Sequence, residues 1–139
     1  MGQGTAQPVD EQVSIRTPRG ALLGMLHLPA GEAAGPAVVF CNAFGEERKS
    51  SALAMARLAR AAAGAGFPSL RFDYYGCGDS EGDFVEATVR SRLDDIVRAA
   101  GFLRERTGAE EVCLLGLRLG GTLAARAAEE LAECAGLAL

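Results

Sequence analysis

A chain of 139 residues, half of them hydrophobic and eighteen of them glycine, is long enough for one domain with a real core and unlike a disordered segment. Its net charge of −4 argues against a nucleic-acid partner, which would favour a basic surface. No apolar run approaches the roughly eighteen residues of a membrane span, and the N-terminus has no signal-peptide core, so a soluble, cytoplasmic protein is expected.

In chain order, residues 1–10 (MGQGTAQPVD) show no apolar periodicity and are expected to form a disordered N-terminus, with the domain running over 11–139. VSIRTP (13–18) and ALLGMLHLP (21–29), separated by Arg19-Gly20, read as an edge hairpin. After the loop GEAAGP, PAVVFCNA (36–43) is a short apolar run of the kind a strand covered on both faces shows. Residues 50–65 are rich in Ala, Leu and Arg, with Leu53 and Leu58 on one side and Gly64 and Gly66 as the stop, which predicts a helix. SLRFDYYG (69–76) is the next strand. Over 85–106, Val89, Leu93, Ile96, Val97, Ala100 and Leu103 recur at three- and four-residue steps and Gly108 ends the run, an amphipathic helix. EVCLLG (111–116) is a strand. Leu119, Leu123, Ala127 and Leu131 mark a helix that starts straight after Gly120, and AGLAL (135–139) opens one more strand.

This alternation predicts an α/β fold: an edge hairpin plus a parallel sheet with helices on both faces. A last parallel strand with no covering helix would leave an apolar edge. The chain is therefore expected to be part of a larger domain, completed by a missing C-terminal half or by a second chain. Cys41, Cys77, Cys113 and Cys134 form no C-x-x-C pair and His27 is the single histidine, so neither a metal site nor a cofactor is expected. Cys41 and Cys113 read as small buried strand residues, and disulfides are not expected.

Two pentapeptides compete as the chemical centre. GDSEG (78–82) satisfies G-x-S-x-G, the usual mark of a nucleophilic serine. That serine, however, must stand on a strained turn between a buried strand and a helix whose first N–H groups face a developing oxyanion. Ser80 is followed by a loop and crowded by Asp79, Glu81 and Asp83, so it reads as a loop or capping serine. GLRLG (116–120) has the required surroundings: strand EVCLL runs into Gly116, a helical stripe begins at Leu119, and Gly116 and Gly120 let the backbones approach. Its central residue is Arg118, whose guanidinium stays protonated and is no nucleophile. The turn is present; the serine is not.

FDYYGCGDSEG closely resembles the segment F-D-x-R-G-x-G-x-S-x-G of α/β-hydrolases of the serine aminopeptidase-like group, which includes esterases, lipases and acyl-transfer enzymes. CNAFGEE is similar to that group's H-G-F-G loop, and residues 13–139 can be laid along the first half of the fold. NAFGEERKS followed by GLRLG resembles hydrolase-like proteins associated with bacterial exosortase and exopolysaccharide gene clusters. The resemblance implies one oxyanion donor at the backbone N–H of Phe44, with Asn42 and Ala43 in place of His and Gly, and a second at the N–H of Leu119. It places the nucleophile position at Arg118. The family's acid and histidine fall after later strands, beyond residue 139, and His27 is in the wrong place to stand in for the latter.

Two functions follow from these residues. One is an enzyme acting on an ester, thioester or related small acyl substrate, with a degenerate or incomplete triad and Cys41 as the one thiol to test as a substitute nucleophile. The other is a non-catalytic module that binds an anion or acyl group through Arg118 and the helix N–H groups. A structural role for Arg118 is also expected: a buried ion pair with Glu46 or Glu47, costly to break. Asp73 and Asp79 are expected to hold the glycine loop of Gly76 and Gly78 by accepting backbone hydrogen bonds, rather than to work as an acid–base pair. Asp94 and Asp95 are expected to cap or pair locally. GLRLGG lacks the spacing of a dinucleotide fingerprint.

Overall fold

The computed structural model describes residues 8–139. Six strands form one sheet: β1 (Val9–Arg16), β2 (Ala21–Leu28), β3 (Ala37–Cys41), β4 (Ser69–Phe72), β5 (Val112–Gly116) and β6 (Cys134–Ala138). The strand order is β1-β2-β4-β3-β5-β6. The hairpin β1–β2 joins β4 antiparallel, and β4, β3, β5 and β6 are mutually parallel. This is the expected α/β architecture, with the hairpin at one edge.

The start of β1 corrects the expected disorder, because Val9 and Asp10 already pair with Leu28 and His27. The remainder of that segment, residues 1–7, lies outside the described residues.

Helix α1 (Gly45–Gly64) packs on one face of the sheet, where Met55 and Ala59 meet Phe40. It begins five residues before the expected start, because its first turn is the polar stretch Gly45-Glu46-Glu47, which carries no apolar period. Those carboxylates sit favourably at the positive end of the helix. Its buried side is Met55, Ala56, Ala59 and Ala63, whereas Leu53 and Leu58 are 59% and 47% exposed. Alanines let the helix lie close to the strands, so the leucines are turned outward.

Helices α2 (Val89–Thr107) and α3 (Leu119–Ala128) cover the other face, with Leu93, Ile96, Leu103, Leu123 and Ala127 set against Val39, Leu70 and Leu114. The expected single helix over 85–106 is broken: residues Phe84–Glu86 form a 3₁₀ turn and α2 starts at Val89. Thr88 ends the break through a reciprocal cap. It accepts the Ser91 N–H at 3.0 Å, and its own N–H donates to Ser91 Oγ at 2.8 Å. Gly108, at φ 75°, closes the helix as expected.

His27, wholly buried in β2, is satisfied on both ring nitrogens. Arg71 Nε donates to Nε2 at 3.0 Å, which makes Nδ1 the protonated nitrogen that donates to Asp10 Oδ1 at 2.7 Å. Burial lowers its pKa and favours this neutral form. It is a structural histidine.

Candidate functional site

Three segments converge at the C-terminal ends of β3, β4 and β5. The first is the turn from β5 into α3. Arg118 adopts φ 58° and ψ −124°, and it is the sole non-glycine residue with positive φ among those described. A side chain in this region is strained by about 1–3 kcal/mol and persists only where its surroundings hold it. Here the surroundings are glycines. A β-carbon on Gly116 would stand 2.5 Å from Gly120 O, and one on Gly120 would collide with the carbonyl oxygens of Cys41 and Asn42. The helix start is thereby pressed against the end of β3. Gly120 N–H donates to Leu117 O at 2.9 Å, while the Leu119 N–H has no acceptor among the described residues.

The second segment is the loop after β3. Asn42 is anchored twice: its Nδ2 donates to Phe72 O at 2.7 Å, and its carbonyl accepts the Tyr74 hydroxyl at 3.2 Å. Burial pushes the Tyr74 phenol well up, keeping it a donor. The Phe44 ring meets Tyr74 edge-on at 5.6 Å, and the guanidinium of Arg92 lies 4.1 Å over it. Such a cation–π contact is worth about 2 kcal/mol when desolvated, so α2 braces this loop. The Phe44 N–H, like that of Leu119, donates to no group among the described residues.

The third segment is the glycine loop after β4. Ser80 Oγ accepts the Leu23 N–H at 2.8 Å and donates to Asp73 O at 2.5 Å, which makes it a loop serine. Asp73 accepts the Asp79 N–H at 3.1 Å and also holds Arg48 at 3.0 Å. Asp79 does not share the expected role: its carboxylate accepts no backbone hydrogen bond among the described residues, and the residue lines a groove together with Arg71. Gly76 (φ 79°) and Gly78 (φ 52°) supply the left-handed turns of this loop. Asp94 pairs with Arg90 and Arg19 on the surface. Asp95 is buried, and its Oδ2 accepts the Tyr75 N–H at 2.8 Å, tying the start of the loop to α2.

Arg118 Nε lies 3.0 Å from Glu47 Oε2, while Glu46 pairs with Lys49 instead. The pair forms, but the expectation that it is buried is corrected. Its side chains are 73% and 56% exposed, since both stand on the open rim of the crevice. An exposed pair contributes little after screening and side-chain entropy. Glu47→Gln is accordingly expected to lower stability by less than about 1 kcal/mol, read from urea denaturation midpoints.

Cys41 lies at the end of β3 with no exposed surface, and burial pushes its thiol far up, so it is not an available thiolate. All four cysteines are free, and Cys113 is half-buried rather than buried as expected. Among the described residues no group of His, Cys, Asp and Glu side chains is arranged to hold a metal ion, and no helix is long and apolar enough to cross a membrane. Arg48, Tyr74 and Arg92 escaped the sequence reading. Each acts through a partner 25–50 residues away, and no local spacing announces it.

A hairpin-edged parallel sheet with a strained strand-to-helix turn beside an open-amide loop defines the α/β-hydrolase class. The model of the alpha/beta hydrolase fold matches residues 36–139, and the chain belongs to this family. Among solved structures, a serine hydrolase homologue from Coxiella burnetii is 20% identical with a TM-score of 0.73, over 88% of this chain and 58% of that one. A serine hydrolase without lid from Xanthomonas campestris is 22% identical with a TM-score of 0.73, over 94% and 60%. An esterase from Pyrococcus furiosus is 21% identical with a TM-score of 0.76, over 94% and 51%. The likeness to these structures is one of fold, and the chain spans between half and three-fifths of their length. No curated protein matches the sequence.

Proposed function

We propose that the protein works in the hydrolase class of its family, on an ester, thioester or related acyl substrate whose carbonyl oxygen is received by the N–H groups of Phe44 and Leu119. The observation that carries this reading is the retained turn: Arg118 at φ 58° between Gly116 and Gly120, with both amides open. Negative charge developing on the oxygen would meet two N–H donors, the N-terminus of α3 and the Arg118 guanidinium. Arg118 binds and does not attack, so water is the nucleophile. Glu47, the carboxylate paired at the turn, takes the water proton as the C–O bond forms and returns it to the departing alkoxide or thiolate when the tetrahedral intermediate collapses. The likeness of NAFGEERKS and GLRLG supports a place among the exosortase-associated hydrolase-like proteins, and four free cysteines fit a reducing cytoplasm.

The test is release of p-nitrophenol from p-nitrophenyl butyrate and of thiol from a short acyl-CoA. Release above the buffer blank is expected, with at least a tenfold loss in Glu47→Gln and in Arg118→Ala, roughly the cost of one charge-assisted contact. Equal rates in all three proteins would overturn the assignment.

Three observations favour a second reading, a non-catalytic acyl- or anion-binding module. Arg118 stands where the nucleophile belongs, Cys41 is buried, and His27 is engaged by Asp10 and Arg71. Butyrate binding that weakens in Arg118→Ala, without any turnover, would establish that module.

A further inference from the structure

On the α1 side of the sheet, away from the turn, Arg71 projects from β4 between a cavity of about 170 Å³ and an adjoining groove of about 290 Å³. Neither space is lined by Phe44, Arg118 or Leu119. The smaller cavity is walled by Arg48, Met55 and Ala52 of α1, by Arg71 and Asp73 at the end of β4, and by the side chain of Asn42. Its charges do not cancel. Asp73 is taken up by Arg48, which reaches Oδ1 through Nε at 3.2 Å and Nη2 at 3.0 Å, and by the Asp79 N–H on Oδ2.

Arg71 keeps its charge without a carboxylate partner among the described residues. Its Nε is spent on the neutral ring of His27 at 3.0 Å, and its two terminal amino groups make no hydrogen bond there. The carboxylates nearest to this half-buried guanidinium, Asp10 and Asp73, are engaged by His27 and Arg60 and by Arg48, which leaves its fork open to an anion from outside. His27, locked between Asp10 and Arg71, fixes the plane of the fork. The Asn42 amide, held by Phe72 O at 2.7 Å, adds a polar wall.

We propose that this cavity is a binding site for a small carboxylate, gripped bidentately by the Arg71 fork and assisted by Arg48. The excess of one positive charge in the lining suits a monoanion. A dianionic phosphate would face the carboxylates of Asp73 and, in the adjoining groove, Asp79. The planar fork matches the two oxygens of a carboxylate, an arrangement a point-charge lysine does not offer. The volume, at about 30 Å³ per water in the liquid, holds a group of a few heavy atoms. This site lies apart from the Phe44 and Leu119 amides and shares with their loop only Asn42.

Calorimetric titration of the 139-residue chain with acetate, and separately with inorganic phosphate at matched ionic strength, tests the proposal. Saturable acetate binding is expected in the wild type and, unchanged, in Arg118→Ala, which separates this site from any anion bound at the turn. Arg71→Gln is expected to weaken acetate roughly tenfold or more. Arg71→Lys, which keeps the charge and a donor towards His27, is expected to weaken it severalfold while retaining the wild-type urea midpoint. Absence of saturable acetate binding, tighter binding of phosphate than of acetate, loss of the binding in Arg118→Ala, or equal acetate affinity in wild type and Arg71→Lys would each overturn it.

Discussion

Gly120→Ala is expected to cost roughly 3 kcal/mol or more, enough to unfold much of a marginally stable domain. The new methyl group meets the carbonyl oxygens of Cys41 and Asn42, which are backbone atoms at the end of a central strand and cannot swing aside as a flexible side chain would. Relief requires α3 to retreat from β3, and that movement opens the turn carrying Arg118. The neighbouring substitution is the control. At Gly121 a β-carbon would find Gly116 O and Leu139 Cδ2 at 3.5 Å, ordinary contact distance. Because Gly121 lies within α3, alanine there is expected to raise stability by up to about 1 kcal/mol through helix propensity. Urea midpoints at constant slope for the two variants check the contrast. Equal midpoints would mean that the close approach of α3 to β3 does not exist.

The second large effect is electrostatic. Asp95 is buried on α2 with one oxygen bonded to the Tyr75 N–H and the other, Oδ1, without a partner among the described residues. Desolvation raises its pKa from 3.8 to about 6, with the Tyr75 hydrogen bond opposing. The folded protein therefore binds this proton more tightly than the unfolded chain does. The sign follows: the contribution to stability is fully present below pH 3.8 and is lost as pH rises through about 6. Over that window the loss amounts to about 3 kcal/mol. His27, whose pKa burial lowers, works in the opposite sense, so the clean measurement is a difference. Wild type should lose stability relative to Asp95→Asn as pH is raised from 4 to 7 in a series of urea titrations, and parallel curves would refute the assignment. Asparagine keeps an acceptor for Tyr75 and removes the titration.

Much of this architecture is legible in the sequence because strands and helices announce themselves by period. The stripe from Leu93 to Leu103, the apolar run before Cys41 and the glycine pair around Arg118 all appear where their spacing places them. The differences in the helices have one physical origin: apolar character does not by itself mean burial. Leu53 and Leu58 face water because the alanines of α1 allow closer packing than a leucine face would. Val85 and Val89 continue the helical spacing of α2 but precede its buried face, and the cap formed by Thr88 and Ser91 decides the boundary.

At the site, the strand-to-helix turn around Arg118 is legible from local pattern, whereas the amides of Phe44 and Leu119 are singled out by the resemblance to the family's loop. The exposure of the Arg118–Glu47 pair is not legible, since it depends on how far α1 overhangs the crevice. The same is true of the Arg92 brace on Phe44 and of the double anchoring of Asn42. These contacts join segments that only the completed sheet brings together.

The two hydrogen bonds of Ser80 bear on how such sequences are sorted. Its hydroxyl hydrogen is committed to a main-chain oxygen, and its oxygen already serves an amide of the neighbouring hairpin, so it acts as a rivet between loop and sheet edge. A fluorophosphonate warhead would find no activated alcohol there, and pattern matching on G-x-S-x-G alone would assign to this chain a reactivity that the rivet forbids.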